Sequence, residues 1–301
     1  MSGLCDGRVC IVTGAGRGIG REYALMLAAE GASVVVNDLG GAVDGAGRST
    51  DPAADVVREI TAAGGRAVSD TNDISSTAGA EALVAGALES FGGLDVLVNN
   101  AGILRDNMLV NMSPENWEAV ISVHLSGTFA TSRQAARWWR EESKAGRQRD
   151  ARIINTTSAS GIYGNVGQSN YGAAKAGIAA LTVISSMELQ RYGVTANAIA
   201  PLAVTRMTEN LRERTPEQTA ARQPRWVAPV VTWLASVQSA SVTGRVLEVS
   251  GDGIAVAEGW RRGPQGPPAT DPREVGEILP DLLARAQPNS GMDGIPGVPR
   301  A

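Results

Sequence analysis

Five short apolar runs constrain this chain most: VCIVTG (9–14), ASVVVND (32–38), LDVLVNN (94–100), ARIINTT (151–157) and VTANAIA (194–200). They are rich in Val and Ile and show no polar alternation, the pattern of strands buried on both faces. Between them lie amphipathic stretches such as REYALMLAAE (21–30) and AGAEALVAGALESF (78–91). Strand, helix, strand, repeated, predicts an α/β fold: a parallel sheet with helices on both faces. Asp51-Pro52 and Ser113-Pro114 each read as an N-cap followed by proline at the first helical position. At 301 residues and 43% hydrophobic content, the chain can bury one large domain.

Two segments stand outside this rhythm. Residues 39–51, LGGAVDGAGRSTD, form a glycine-rich loop after the second strand. Residues 261–301 are rich in Pro and Gly around one helical stretch, DPREVGEILPDLLARA (271–286), so the main domain spans 1–260 and the rest is a tail. In that stretch Val275, Ile278, Leu279, Leu282 and Leu283 share an apolar face, which predicts docking on the parent domain or a neighbouring subunit. Pro280 interrupts the pattern and predicts two short pieces or a kink.

The bulk properties exclude several classes. A net charge of −4 argues against a nucleic-acid binder. No run approaches the ~20 apolar residues that cross a bilayer. Cys5 and Cys10 form no CxxC and no disulfide framework, so a soluble, cytoplasmic protein is expected. With one histidine and no Cys/His cluster, no metal is expected.

TGAGRGIG (13–20) follows the first strand and opens the first helix. Its Gly14, Arg17, Gly18 and Ile19 stand where backbone N–H groups and a helix N-terminus can receive a pyrophosphate. Asp38 ends the second strand 18 residues after Gly20, where a carboxylate can bond the adenosine ribose hydroxyls. The same carboxylate repels a 2′-phosphate, which favours NAD over NADP. Arg17 pulls the other way, but an anion in direct contact outweighs a cation further off.

SASGIYGNVGQSNYGAAK (158–175) carries the chemistry. Tyr171 and Lys175 are four apart in a helical segment and share a face. The Lys ammonium, with a positive nicotinamide ring, is expected to lower the phenol pKa from about 10 and make Tyr171 a usable acid/base. Ser158, at the end of a strand, is placed to hold the substrate oxygen.

These motifs together resemble the short-chain dehydrogenase/reductase family over residues 6–255, through TGAGRGIG, NNAG (99–102), Ser158, Tyr171 and Lys175. The resemblance implies a single Rossmann-like, doubly wound domain with a seven-stranded parallel sheet, assembled as a homodimer or homotetramer. It implies further cofactor contacts: Asp73 and Ile74 at adenine, Asn100 and Gly102 at the ribose, Lys175 on the ribose with Tyr171 also at the cofactor, and Pro201 with Thr205 near the nicotinamide carboxamide. VVVNDLGG (34–41), NNAGILRD (99–106), VHLSGTF (123–129) and SASGIYGNVGQSNY (158–171) narrow it. They resemble the (3R)-hydroxyacyl-CoA dehydrogenase module of the peroxisomal multifunctional enzymes, in which a hydratase follows on the same chain; within these 301 residues none is expected. NNAGILRDN also resembles the ketoacyl carrier-protein reductases, so an acyl-CoA or related thioester is the expected substrate.

The lone histidine, His124, stands where most of the family has an asparagine whose main chain holds a relay water. A structural or relay role is expected for it, with Tyr171 moving the proton. A second departure is APLAVTRM (200–207), where Leu202 replaces the usual glycine and one residue is missing. REESKAGRQRDAR (140–152) reads as a solvated helix-to-strand connection rather than a seat for CoA phosphates. The expected activity is therefore NAD-dependent interconversion of a secondary alcohol and a ketone on 3-hydroxyacyl-CoA substrates. The rivals are a hydroxysteroid dehydrogenase, to be decided by the substrate-side stretch 208–224, and a nucleotide-sensing regulator that has lost catalysis.

Overall fold

The apolar runs become strands in the computed structural model, which describes residues 3–203 and 215–296. The strands are β1 (Val9–Thr13), β2 (Ser33–Asn37), β3 (Arg66–Asp70), β4 (Val96–Asn99), β5 (Ala151–Thr156), β6 (Val194–Pro201), β7 (Val246–Ser250) and β8 (Gly253–Ala257). They form one sheet in the order β3-β2-β1-β4-β5-β6-β7-β8. The first seven pair in parallel, and β8 returns antiparallel along β7. The expected seven-stranded parallel sheet is thus extended to eight. Residues 251–252 turn tightly enough for a hairpin, and an antiparallel partner needs no crossover helix. Strands β1, β2, β4 and β5 are buried at every position, which is why they carry no polar alternation.

The helices are α1 (Gly18–Ala29), α2 (Asp51–Ala62), α3 (Thr77–Phe91), α4 (Pro114–Ile121), α5 (Gly127–Lys144), α6 (Ala159–Tyr163), α7 (Ser169–Leu189), α8 (Pro216–Ala220), α9 (Ala228–Ala235) and α10 (Pro272–Arg285). Tyr23, Leu27 and Val231 pack one face of the sheet with Val34 and Val36. Leu83 and Trp139 pack the other with Leu97 and Ile153. Ser113 caps α4 as expected, its hydroxyl accepting from Asn116 N–H at 3.2 Å. Asp51 does not cap α2: Thr50 holds that position and Asp51 is the first helical residue, where its carboxylate still faces the positive helix end.

Strand order reverses between β1 and β4, so their C-terminal ends leave a crevice, the place where open α/β sheets bind ligands. A π-helical turn, Ser122–Ser126, joins α4 to α5 beside this crevice and carries His124. No helix among the described residues is long and apolar enough to cross a membrane.

In the tail, α10 is a single helix that includes Pro280, started by a reciprocal Asp271–Glu274 capping box. Ile278 and Leu282 lie against Gly266 of the tail's own irregular stretch, while Val275, Leu279 and Leu283 stay exposed. Further on, Gly294 reaches the ring of Tyr163, next to the segment that begins at Ser158. The REESKAGRQRDAR stretch largely neutralises itself: Arg140 and Lys144 pair with Glu141, Arg147 with Glu142, and Arg152 with Asp150.

Candidate active site

The glycine loop is shaped by positive φ at Gly14 (64°) and Gly18 (55°), angles that side chains with a Cβ rarely adopt. Asn100 clamps it from β4, its Nδ2 donating to the Thr13 and Gly14 carbonyls at 3.0 and 3.1 Å. A Cβ on Gly20 would lie 2.2 Å from the Gly14 carbonyl oxygen, so α1 starts hard against the loop. Asp38 accepts from Gly16 N–H at 2.8 Å and from Gly40 N–H at 2.6 Å, which ties the loop to the end of β2. Arg17 is exposed and reaches only the Gly41 carbonyl, at 3.3 Å.

These groups line a cavity of about 430 Å³, with Asp73, Ile74 and Gly102 along the same wall. Asp73 accepts from Ser75 and pairs with Arg48 at 3.0 Å, and Ile74 is buried. The loop after β2 crosses the cavity: Leu104 N–H donates to Val43 O at 3.0 Å and Arg105 Nε to Asp44 O at 2.9 Å. The residues present fit a dinucleotide: Gly14 ahead of α1, Gly18 and Ile19 at its start and the Asp38 carboxylate at the end of β2 line the same cavity. Pro201 ends β6; Thr205 and residues 208–214 lie outside the described residues.

Beside the cavity, Ser158 caps α6 and accepts from Ser160 N–H at 3.2 Å. Lys175 is 3% exposed; its Nζ donates to the Thr156 carbonyl at 2.6 Å and stands 5.5 Å from the Tyr171 ring centre. Burial pushes Lys175 down to about 7. The phenol does not follow the sequence expectation in the protein alone. Burial pushes Tyr171 up to about 12, opposed by its bond with Ser158 and reinforced by Asp106. Desolvation is the largest cause, so a lower value has to come from added positive charge.

His124 is 2% exposed. Its Nε2 lies 3.1 Å from Ile103 N and 2.8 Å from Ile103 O, and its ring meets Tyr171 edge-on at 5.2 Å between centres. Nδ1 has no partner. Burial, then the Lys175 charge, pushes His124 down to about 3, so at neutral pH the ring is uncharged and unable to take up a proton. The ring sits on Gly102, where a Cβ would come within 2.2 Å of Cε1.

The sequence reading gave no role to Asp106 or Gln168, although both lie in quoted motifs. Gln168 donates to Asp106 at 2.7 Å and accepts from Ser160 at 2.8 Å. Their signal was polarity inside otherwise apolar or glycine-rich motifs, and only the fold shows that the two meet.

A glycine cradle at a sheet switch point, closed by an acidic strand end, defines a dinucleotide-binding class of α/β protein. Residues 8–218 match the family model described as short chain dehydrogenase, and the chain belongs to that family. It is therefore an oxidoreductase acting on a CH–OH group, in a family that uses NAD(H) or NADP(H). A crystal structure of a short chain dehydrogenase from Mycobacterium avium is similar, with a TM-score of 0.87 and 53% identity, covering 96% of this chain and 98% of that one. Hydroxyacyl-CoA dehydrogenase ChsB1 of Mycobacterium tuberculosis is 44% identical over 296 residues, 94% of this chain and 90% of that protein. The peroxisomal hydratase-dehydrogenase-epimerase of Neurospora crassa is 42% identical over 257 residues, 85% of this chain but only 27% of that enzyme.

Proposed function

We propose that this protein is an NAD-dependent 3-hydroxyacyl-CoA dehydrogenase that interconverts the 3-hydroxyl and 3-keto forms of an acyl-CoA. The observation that carries the reading is Tyr171 beside Lys175 and Ser158, one residue layer (Gly102 and His124) away from a glycine cradle tied to Asp38. Relatives named for hydroxyacyl-CoA or peroxisomal multifunctional activity support the substrate class.

Gly14, Gly18 and Ile19 would receive the pyrophosphate, Asp38 the adenosine ribose, Asp73 and Ile74 the adenine, and Asn100 and Gly102 the second ribose. When bound, NAD supplies the hydride acceptor. Ser158 orients the substrate oxygen, and Tyr171 exchanges the proton on it. Lys175 supplies positive charge at Tyr171, and His124 holds the Ile103 backbone through Nε2. Large apolar side chains exposed on α5 and α7, Phe129, Ile184 and Met187 among them, support a homo-oligomer. The absence of a disulfide framework supports a cytoplasmic location.

The test is NAD reduction by the purified protein across 3-hydroxyacyl-CoAs of graded chain length and a steroid panel. Turnover of acyl-CoAs is expected, nearly abolished in Tyr171→Phe, with NAD affinity retained within a few-fold. Turnover confined to steroids would refute the substrate class.

A further inference from the structure

Asp106 is the last residue of NNAGILRD, and its Oδ2 accepts from Gln168 Nε2 at 2.7 Å. Gln168 is buried and occupies the N-cap position of α7, three residues before Tyr171. Its amide oxygen accepts from Ser160 Oγ at 2.8 Å and from Asn165 Nδ2 at 3.0 Å. Ser160 N–H donates in turn to Ser158 Oγ. The backbone runs the same way: Asn107 N–H donates to Gly167 O at 2.8 Å, and Asn170 Nδ2 donates to Arg105 O at 2.9 Å. One amide therefore joins three segments: the stretch after β4, the turn that starts at Ser158, and the start of the helix that carries Tyr171. With both oxygen lone pairs and one N–H committed, it has a single satisfied orientation.

We infer that Asp106 is a positioning residue for proton transfer, which fixes Ser158 and Tyr171 in register through Gln168. The inference rests on Tyr171 as the group that moves the proton. Two ionisable groups stand beside the ring, Lys175 from α7 and His124 from the π turn, and the Asp106 charge acts on the phenol from the stretch after β4. His124 is uncharged at neutral pH, which leaves Lys175 and Asp106 as the groups whose charge bears on the phenol. Asp106 pushes Tyr171 upward, and Asp106 itself is raised by partial burial, with the Gln168 bond opposing. Burial keeps the phenol protonated across the neutral range, the state that gives a proton to a carbonyl oxygen, and the Asp106 charge adds to it.

Asp106→Asn removes the charge and keeps an oxygen to accept from Gln168, whereas Asp106→Glu keeps the charge. The tyrosinate absorbance of each protein is titrated with saturating NAD, and the Tyr171→Phe spectrum is subtracted at every pH. Asp106→Asn is expected to lower the midpoint by about half a pH unit, because the carboxylate is partly open to water, and Asp106→Glu to restore it. Gln168→Ala is expected to cost about tenfold or more in kcat with the KM for NAD unchanged. An unshifted midpoint in Asp106→Asn, or wild-type kcat in Gln168→Ala, overturns the assignment. Wild-type turnover by Tyr171→Phe would overturn the parent reading and this one together. An inactive Tyr171→Phe beside an unshifted Asp106→Asn overturns this one alone.

Discussion

His124 is the only histidine in the chain, which makes its protonation measurable through stability alone. Folded, the ring is held near pKa 3 by burial and the Lys175 charge; unfolded, it returns to about 6.5. The unfolded state therefore binds the proton first, and stability falls as pH drops below about 6.5, until the folded ring also protonates near 3. At pH 5 the unfolded ring has gained about 1.5 pH units of protonation free energy, or about 2 kcal/mol at 1.36 kcal/mol per unit. That figure is insensitive to the folded pKa so long as it stays below about 4. His124→Asn removes the contribution. The variant loses some packing at every pH, but its loss between pH 8 and pH 5 should be smaller than that of wild type by about 2 kcal/mol. Urea unfolding of both proteins at matched pH values measures the difference, and carboxylates common to both cancel. Parallel pH profiles would refute the reasoning, since they would mean that the ring is not buried uncharged.

Asp38→Ala frees the N–H groups of Gly16 and Gly40 and removes the ribose acceptor, so NAD affinity should fall by roughly 10- to 100-fold while the gap to NADP narrows. Equal kcat/KM for the two cofactors in wild type would show that Arg17 sets the preference. Gly20→Ala drives a methyl into the Gly14 carbonyl and should lower unfolding stability by about 1–3 kcal/mol, measured in urea; wild-type stability would contradict the close packing. Truncation after Trp260 removes α10 with its exposed Val275, Leu279 and Leu283, and the contact of Gly294 with Tyr163. Oligomer mass, melting temperature and the KM for acyl-CoA should change. If all three stay the same, the tail is a passive extension.

Buried parallel strands were the most legible part of the fold, because β1, β2, β4 and β5 have no wet face and must be apolar throughout. Strands β3, β7 and β8 carry no such signal: β3 and β8 lie at sheet edges, β7 is only partly buried, and RAVSD, VLEVS and GIAVA contain no long Val/Ile run. The glycine cradle and the Tyr171–Lys175 pair were legible for local reasons, a loop of fixed length and a spacing of four on a helix. Asp106 and Gln168 lie 62 residues apart and meet only through the packing of α7 against the stretch after β4, which no local pattern encodes. In the protein alone the Tyr171 shift runs opposite to the direction expected with a nicotinamide ring beside it, for a similar reason. Spacing reveals the neighbouring lysine but not how far water is excluded from either group.

The contact between Gly102 and His124 restricts the routes by which such a chain can change. With a side chain at 102, the ring at 124 loses its seat, because a Cβ would overlap Cε1. The order of replacement is therefore fixed: glycine has to be in place at 102 before histidine can enter at 124. On the way back, residue 124 must give way before anything larger than glycine is accepted at 102.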